Sequence, residues 1–313
     1  MARALPALLL AILLTPAASL GQEWPEFSKD YHRQVISLLR RLPATRRHAA
    51  FILDSRVALE VTDNPTKVDD HVQAVYDMVE RRISIDEVRL LEGAEELIDQ
   101  GAPRALVAEI LAWKTLPTIV HEITHAMSHR DQERLLGGRF LFGCLESELL
   151  SFYDELLVQH ELYKERPDLW RRDKILKIER SYGEMLLSWR RGQGELDAQV
   201  RAMYGEAPSL LSAPKEELVA GVARRILVLE GSLAELRGLR REAEGALRRD
   251  EVVRRDFQRL AEAIAYTESL LEAKRATRQA LADDASRGKL QDRYRAELAK
   301  RRGRLEELRG EVR

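Results

Sequence analysis

Residues 121–125 read His-Glu-Ile-Thr-His, in a segment whose apolar spacing predicts a helix. Two histidines four apart on a helix sit about 6 Å apart along its axis and on nearly the same face. Both imidazoles can then reach one metal ion at about 2.0–2.1 Å. Glu122 follows the first of them, to the side of that face. From there a carboxylate can take a proton from a water beside the metal without being a ligand itself. The candidates are therefore His121 and His125 as metal ligands and Glu122 as general base.

Two histidines do not complete such a site. A catalytic zinc takes three protein ligands and keeps one open position. His129 lies about 12 Å from His121 by helical rise, too far to share its ion if the helix continues. It is expected at the surface or at a helix end. Glu146 and Glu148 follow His125 by 21 and 23 residues, on sequence that also wants to be helical.

With these residues in place the chain resembles the gluzincin-type zinc metallopeptidases, in which HExxH is followed at such an interval by a helix-borne Glu. The likeness covers about residues 50–165, and its specific part is His121, Glu122, His125 and one later Glu. Glu148-Leu-Leu-Ser-Phe152 fits the family habit of an aromatic four residues after the ligand better than Glu146-Ser-Glu-Leu-Leu150 does. Glu148 is thus the expected third ligand and Glu146 the alternative. Leu149 stands where the family often has Ala. The resemblance implies a Zn2+ cofactor, a peptide or protein substrate, and hydrolysis by an activated water. It also implies an oxyanion-stabilising Tyr or His, for which Tyr153, His160 and Tyr163 are candidates. An edge strand upstream of the metal helix should pair with substrate, and the Tyr76–Ile85 hairpin is in the right place. Asp154 or Glu155, about two turns beyond Glu148, could accept the free N–H of a ligand histidine.

A rival reading belongs to another class. The chain would be a non-catalytic exported interaction protein, with a structural or degenerate zincin domain and a partner-binding helical end. The intact Glu122 favours the enzyme.

The elements that must hold these residues are mostly helices. Pro117 can open the metal helix, with Thr115 as its cap. Residues 28–41 read as an amphipathic helix. Val57, Leu59 and Val61 alternate as in a strand, an assignment that takes in Phe51-Ile52-Leu53 before them. Residues 73–78 and 82–85 read as two short strands, and Val88 to Ile98 as a helix. Gly137-Gly138 is a break. Beyond residue 215, apolar residues repeat at coiled-coil spacing with alternating charge between them, and breaks near Asp250 and Asp283 predict a hairpin or three-helix bundle. Gly231, Gly238 and Gly245 recur every seven residues, a pattern that would let a partner helix come close. The expected fold is mainly α with a small β-sheet. Residues 22–165 would form a zincin-like domain, 166–213 a helical extension and 214–313 a coiled-coil-like bundle, a candidate surface for a protein partner or a second copy.

Charged residues make up 33% of the 313, yet the net charge is only −1, which lacks the basic excess of a nucleic-acid binder. Arg3, the apolar run Leu5 to Leu14 and the small-residue exit Pro16 to Gly21 read as a signal peptide, cut after Gly21 or Ala18. The protein is then exported, periplasmic or secreted, and nothing after that segment is apolar enough to span a bilayer. Cys144 is the only cysteine, so no internal disulfide forms. It reads as a small buried residue.

Overall fold

The computed structural model describes residues 24–55, 57–62, 74–166, 188–205, 207–246 and 251–311. The segment read as a signal peptide and the stretch from 167 to 187 lie outside them. The fold is mainly helical with one small mixed sheet. Among the described residues no helix is long and apolar enough to cross a membrane.

Helix α1 (Trp24–Arg41) buries Tyr31, Val35, Leu38 and Leu39, a stripe at helical spacing. A short 3-10 turn, Pro43–Thr45, leads into α2 (Arg46–Asp54). Phe51-Ile52-Leu53 is therefore helical, and the strand starts only at β1 (Ala58–Thr62). A short apolar run does not by itself distinguish the two periods. Here His48 and Ala49 are buried, and Phe51 and Ile52 are packed against the core, while Leu53 points to solvent.

Strands β2 (Ala74–Asp77) and β3 (Arg82–Asp86) form the expected hairpin, and β1 adds in parallel on the other side of β3. The order β1-β3-β2 leaves β2 at an edge. Asp77 closes the hairpin turn by accepting the N–H groups of Val79 (2.8 Å) and Glu80 (2.9 Å). Helix α3 (Glu87–Asp99) follows, its first turn capped by Asp86.

Helix α4 (Arg104–Leu136) is the spine. At 33 residues it is about 50 Å long. Pro117 does not open it; Pro117 is inside it. An interior proline costs about 3 kcal/mol and one backbone hydrogen bond. Burial of Trp113, Leu116, Ile119 and Val120 around it supplies the compensation. Thr115 is no cap. Its hydroxyl donates to Leu111 O (2.9 Å) and accepts from Tyr31 (2.7 Å), which pins α1 to α4. The helix stops at Gly137, whose φ of 67° is the left-handed end that glycine takes without strain.

Helix α5 (Leu145–Glu165) returns antiparallel along α4. Its Ser147 meets His125, its Glu155 meets His121, and Arg166 just beyond it meets Glu109. Helix α6 (Gln193–Met203) packs on α5. Helices α7 (Lys215–Ala246) and α8 (Glu251–Ala282) lie along each other, with Leu218, Val222, Ile226, Leu233, Ile264 and Leu271 buried. Gly231 and Gly238 are not points of close approach, since an added Cβ would meet nothing within 4 Å at either. Helix α9 (Asp284–Glu311) buries Leu290, Tyr294, Leu298 and Leu305 and packs on α5 and α4.

Candidate metal centre

The antiparallel α4–α5 pair places three donor groups at one point. His125 Nε2 is 3.1 Å from His121 Nε2, and Glu148 Oε2 is 3.6 Å from the first-named motif residue, His121, and 3.4 Å from His125. Ligands bound tetrahedrally at about 2.0–2.1 Å stand about 3.3–3.4 Å from one another, so the three atoms have the spacing of a zinc site. The group could hold a metal ion.

The other ring nitrogens are engaged from α5. His121 Nδ1 is 3.1 Å from Glu155 Oε2, and His125 Nδ1 is 2.9 Å from Ser147 Oγ. With Nδ1–H donating outward, each Nε2 presents a lone pair to the shared point. Phe152 stands edge-on to the His121 ring at 4.7 Å and fixes its plane.

Electrostatics agree with geometry. Burial pushes the His121 pKa down, but the nearby carboxylates of Glu148, Glu155 and Glu122 outweigh it, raising the value to about 10. Burial likewise opposes ionisation of Glu148, and the two imidazoles overcome it, holding its carboxyl well below the ordinary range. These carboxylates call for positive charge between them, and a divalent cation answers that demand. The side chains of His121, His125 and Glu148 are 10%, 19% and 17% exposed, so the cluster is lined by protein yet open to solvent.

No family of proteins, curated protein or solved structure matches this chain. The metal reading stands on the donor set itself.

Each sequence-expected residue has a definite place. Glu122 accepts the backbone N–H of Tyr76 in β2 through Oε2 (2.8 Å), beside the ligands but not among them. Glu146 is no ligand. It is 1% exposed and accepts from Ser209 Oγ (2.6 Å), Leu210 N (2.8 Å) and Leu211 N (3.3 Å), tying the 207–214 segment to α5. Of the two acids weighed as partners of a ligand histidine, Glu155 has that contact; Asp154 instead meets Thr124 and two arginines. His129 is neither at the surface nor at a helix end. It is 4% exposed within α4, with Nδ1 2.9 Å from the Tyr76 hydroxyl. Cys144 is buried just before α5, its pKa pushed up to about 12 chiefly by burial, which makes it an inert thiol.

None of the three expected oxyanion residues is at the cluster. Tyr153 bonds Asp197 and Arg302, His160 stands edge-on to Trp189, and Tyr163 is half exposed. The residue that sequence reasoning missed is Tyr204, at the C-terminal end of α6. Its ring packs on Phe152 at 5.7 Å, and Phe152 in turn packs on the His121 ring, which brings the phenol toward the carboxylates of the cluster. Burial, then the charges of Glu148, Glu122 and Glu155, raise its pKa, so it stays a neutral donor. No motif marks it.

The α5 contacts carry a prediction. A carboxylate on the far nitrogen of a ligand histidine fixes its tautomer and raises its basicity. Glu155→Gln should weaken zinc binding about 10- to 100-fold, measured by competition with a chromogenic chelator. Unchanged affinity would show that Glu155 does not support His121.

Proposed function

We propose that this chain is a zinc-dependent peptidase of gluzincin type. The observation that carries the reading is the tetrahedral-edge spacing of His121, His125 and Glu148, with Glu122 beside them. His121, His125 and Glu148 would hold the ion, and a zinc bound there would supply Lewis acidity and lower the pKa of a water to about 7. Glu122 is the general base. Its Oε2 is fixed by the Tyr76 N–H, which leaves Oε1 to take the proton of the attacking water and return it to the leaving amine. Tyr204, whose ring packs on Phe152 beside the cluster, is the residue we assign to donate to the substrate carbonyl oxygen as it gains charge. Glu155 and Ser147 hold the imidazoles in register. The edge strand β2, joined to Glu122 through Tyr76, suits an extended peptide laid along it. The proposal includes export, on the strength of residues 1–21.

The test is metal content together with cleavage. We expect about one zinc per chain by mass spectrometry, and cleavage of a mixed peptide library that stops with a chelator and returns with zinc. Bound zinc without cleavage would favour the non-catalytic interaction protein. Protein that binds no zinc from solution would remove both readings.

A further inference from the structure

A cavity of about 190 Å3 lies between α4, α5 and α9. On α4 it reaches Met127, Ser128, Asp131 and Gln132, within two turns beyond His125. At about 30 Å3 per water, its volume has room for at least about six waters, or for one small solvated ion. Its floor is Met127, Leu150, Leu290 and Tyr294, and its charged wall is Arg47, Arg293, Lys300 and Arg301 against Asp131 and Glu297. Arg293, Glu297, Lys300 and Arg301 recur at the spacing of one α9 face.

The donors exceed the acceptors. Arg301 is committed: Nε and Nη2 lie 3.0 and 3.1 Å from the two Asp154 oxygens, and Nη1 holds Glu297. Arg47 gives one hydrogen bond, from Nη2 to Asp154, out of five N–H groups. Arg293 gives two, to Asp131 and Glu297, and a Lys300 bond appears nowhere among the described residues. Counting Asp154, Asp131 and Glu297 against the four cations leaves one positive charge at the cavity.

We propose that this cavity binds a small tetrahedral oxyanion, a phosphate group free or at the end of a small ester. The spare donors come from three separate side chains, on α2 and on two turns of α9. A carboxylate offers two oxygens in one plane; a tetrahedral ion offers three or more, in directions that separate donors can each reach. The site is distinct from the metal centre and does not depend on the peptidase reading.

The test is calorimetric titration of the full chain with inorganic phosphate, against sodium chloride at equal ionic strength. Saturable one-to-one binding is expected, with chloride giving none. Lys300→Gln and Arg293→Gln should each weaken it by about tenfold, the loss of one charge-assisted hydrogen bond. Lys29→Gln, at an exposed position of α1, should leave it unchanged. Glycerol 3-phosphate separates the sources: equal or tighter binding assigns an ester, and failure to bind assigns the free ion. The proposal is overturned if phosphate behaves like chloride, if both α9 variants bind as the wild type does, or if His125→Ala alone abolishes binding, which would place the anion on the metal.

Discussion

If zinc sits on His121, His125 and Glu148 as proposed, Glu122→Gln protein should keep the metal and lose peptide hydrolysis. Glutamine has the size of glutamate, and its amide oxygen can still accept the Tyr76 N–H that Glu122 Oε2 accepts at 2.8 Å. β2 and α4 therefore stay joined. The ligand group of His121, His125 and Glu148 is untouched, so metal stoichiometry by mass spectrometry should equal that of the wild type. What disappears is the group that takes the proton. General acid–base catalysis contributes typically about 10²–10⁴-fold, and kcat should fall by at least that factor with KM little changed. Two outcomes would sink the assignment. Turnover within about threefold of the wild type would mean that another base acts. Loss of zinc would make Glu122 part of the ligand shell instead.

The metal helix was legible because its signal is local. His121 and His125 are one helical turn apart, and any helix there brings them together; the structure adds only that their Nε2 atoms converge at 3.1 Å. The choice between Glu148 and Glu146 was half legible. Both lie in the first turn of α5, two residues apart, and so point about 160° from each other. Only one can face α4, and the aromatic at Phe152, one turn on from Glu148, marks that face by packing on His121. Tyr204 was not legible at all. It arrives from a separate helix, and the contact between α6 and α5 that brings it in is tertiary.

The misreadings have the same origin. Pro117 is a strong local signal for a helix start, and the burial of Trp113, Leu116, Ile119 and Val120 around it overrode it. His129 looked like a helix-end residue because nothing near it in sequence announces Tyr76, which lies 53 residues earlier. The helical C-terminal part was plain from its repeats, yet its seam residues do not tell which surface they meet. Leu290, Tyr294 and Leu298 fit a coiled coil equally well, and in the fold α9 faces α5 and α4.

A buried carboxylate on α5 ties helix α9 to α4, and replacing it should destabilise the fold markedly. Asp154 is 2% exposed. Its oxygens accept two hydrogen bonds from Arg301 at 3.0 and 3.1 Å and one from Arg47, and Oδ2 lies 2.9 Å from the Thr124 hydroxyl inside the His-Glu-Ile-Thr-His turn. Asp154→Ala leaves the buried Arg301 guanidinium without its bidentate partner and removes the acceptor of Arg47. Breaking a buried pair from one side costs about 3–5 kcal/mol. The thermal midpoint should drop by on the order of 10 °C, with zinc saturating in both proteins. The pH dependence follows from the same contacts. Burial raises the Asp154 pKa, but His48, Arg301 and Arg47 outweigh it and hold the carboxyl well below the ordinary value. A folded pKa below the unfolded value of about 3.9 means that the unfolded chain binds the proton more readily. This stabilisation is complete above that value and disappears as pH falls through the folded pKa. Wild-type stability should therefore slope downward below about pH 4, and the Asp154→Ala curve should be flatter there. Equal midpoints at neutral pH, or parallel curves in acid, would show that Asp154 does not join α9 to the metal helix.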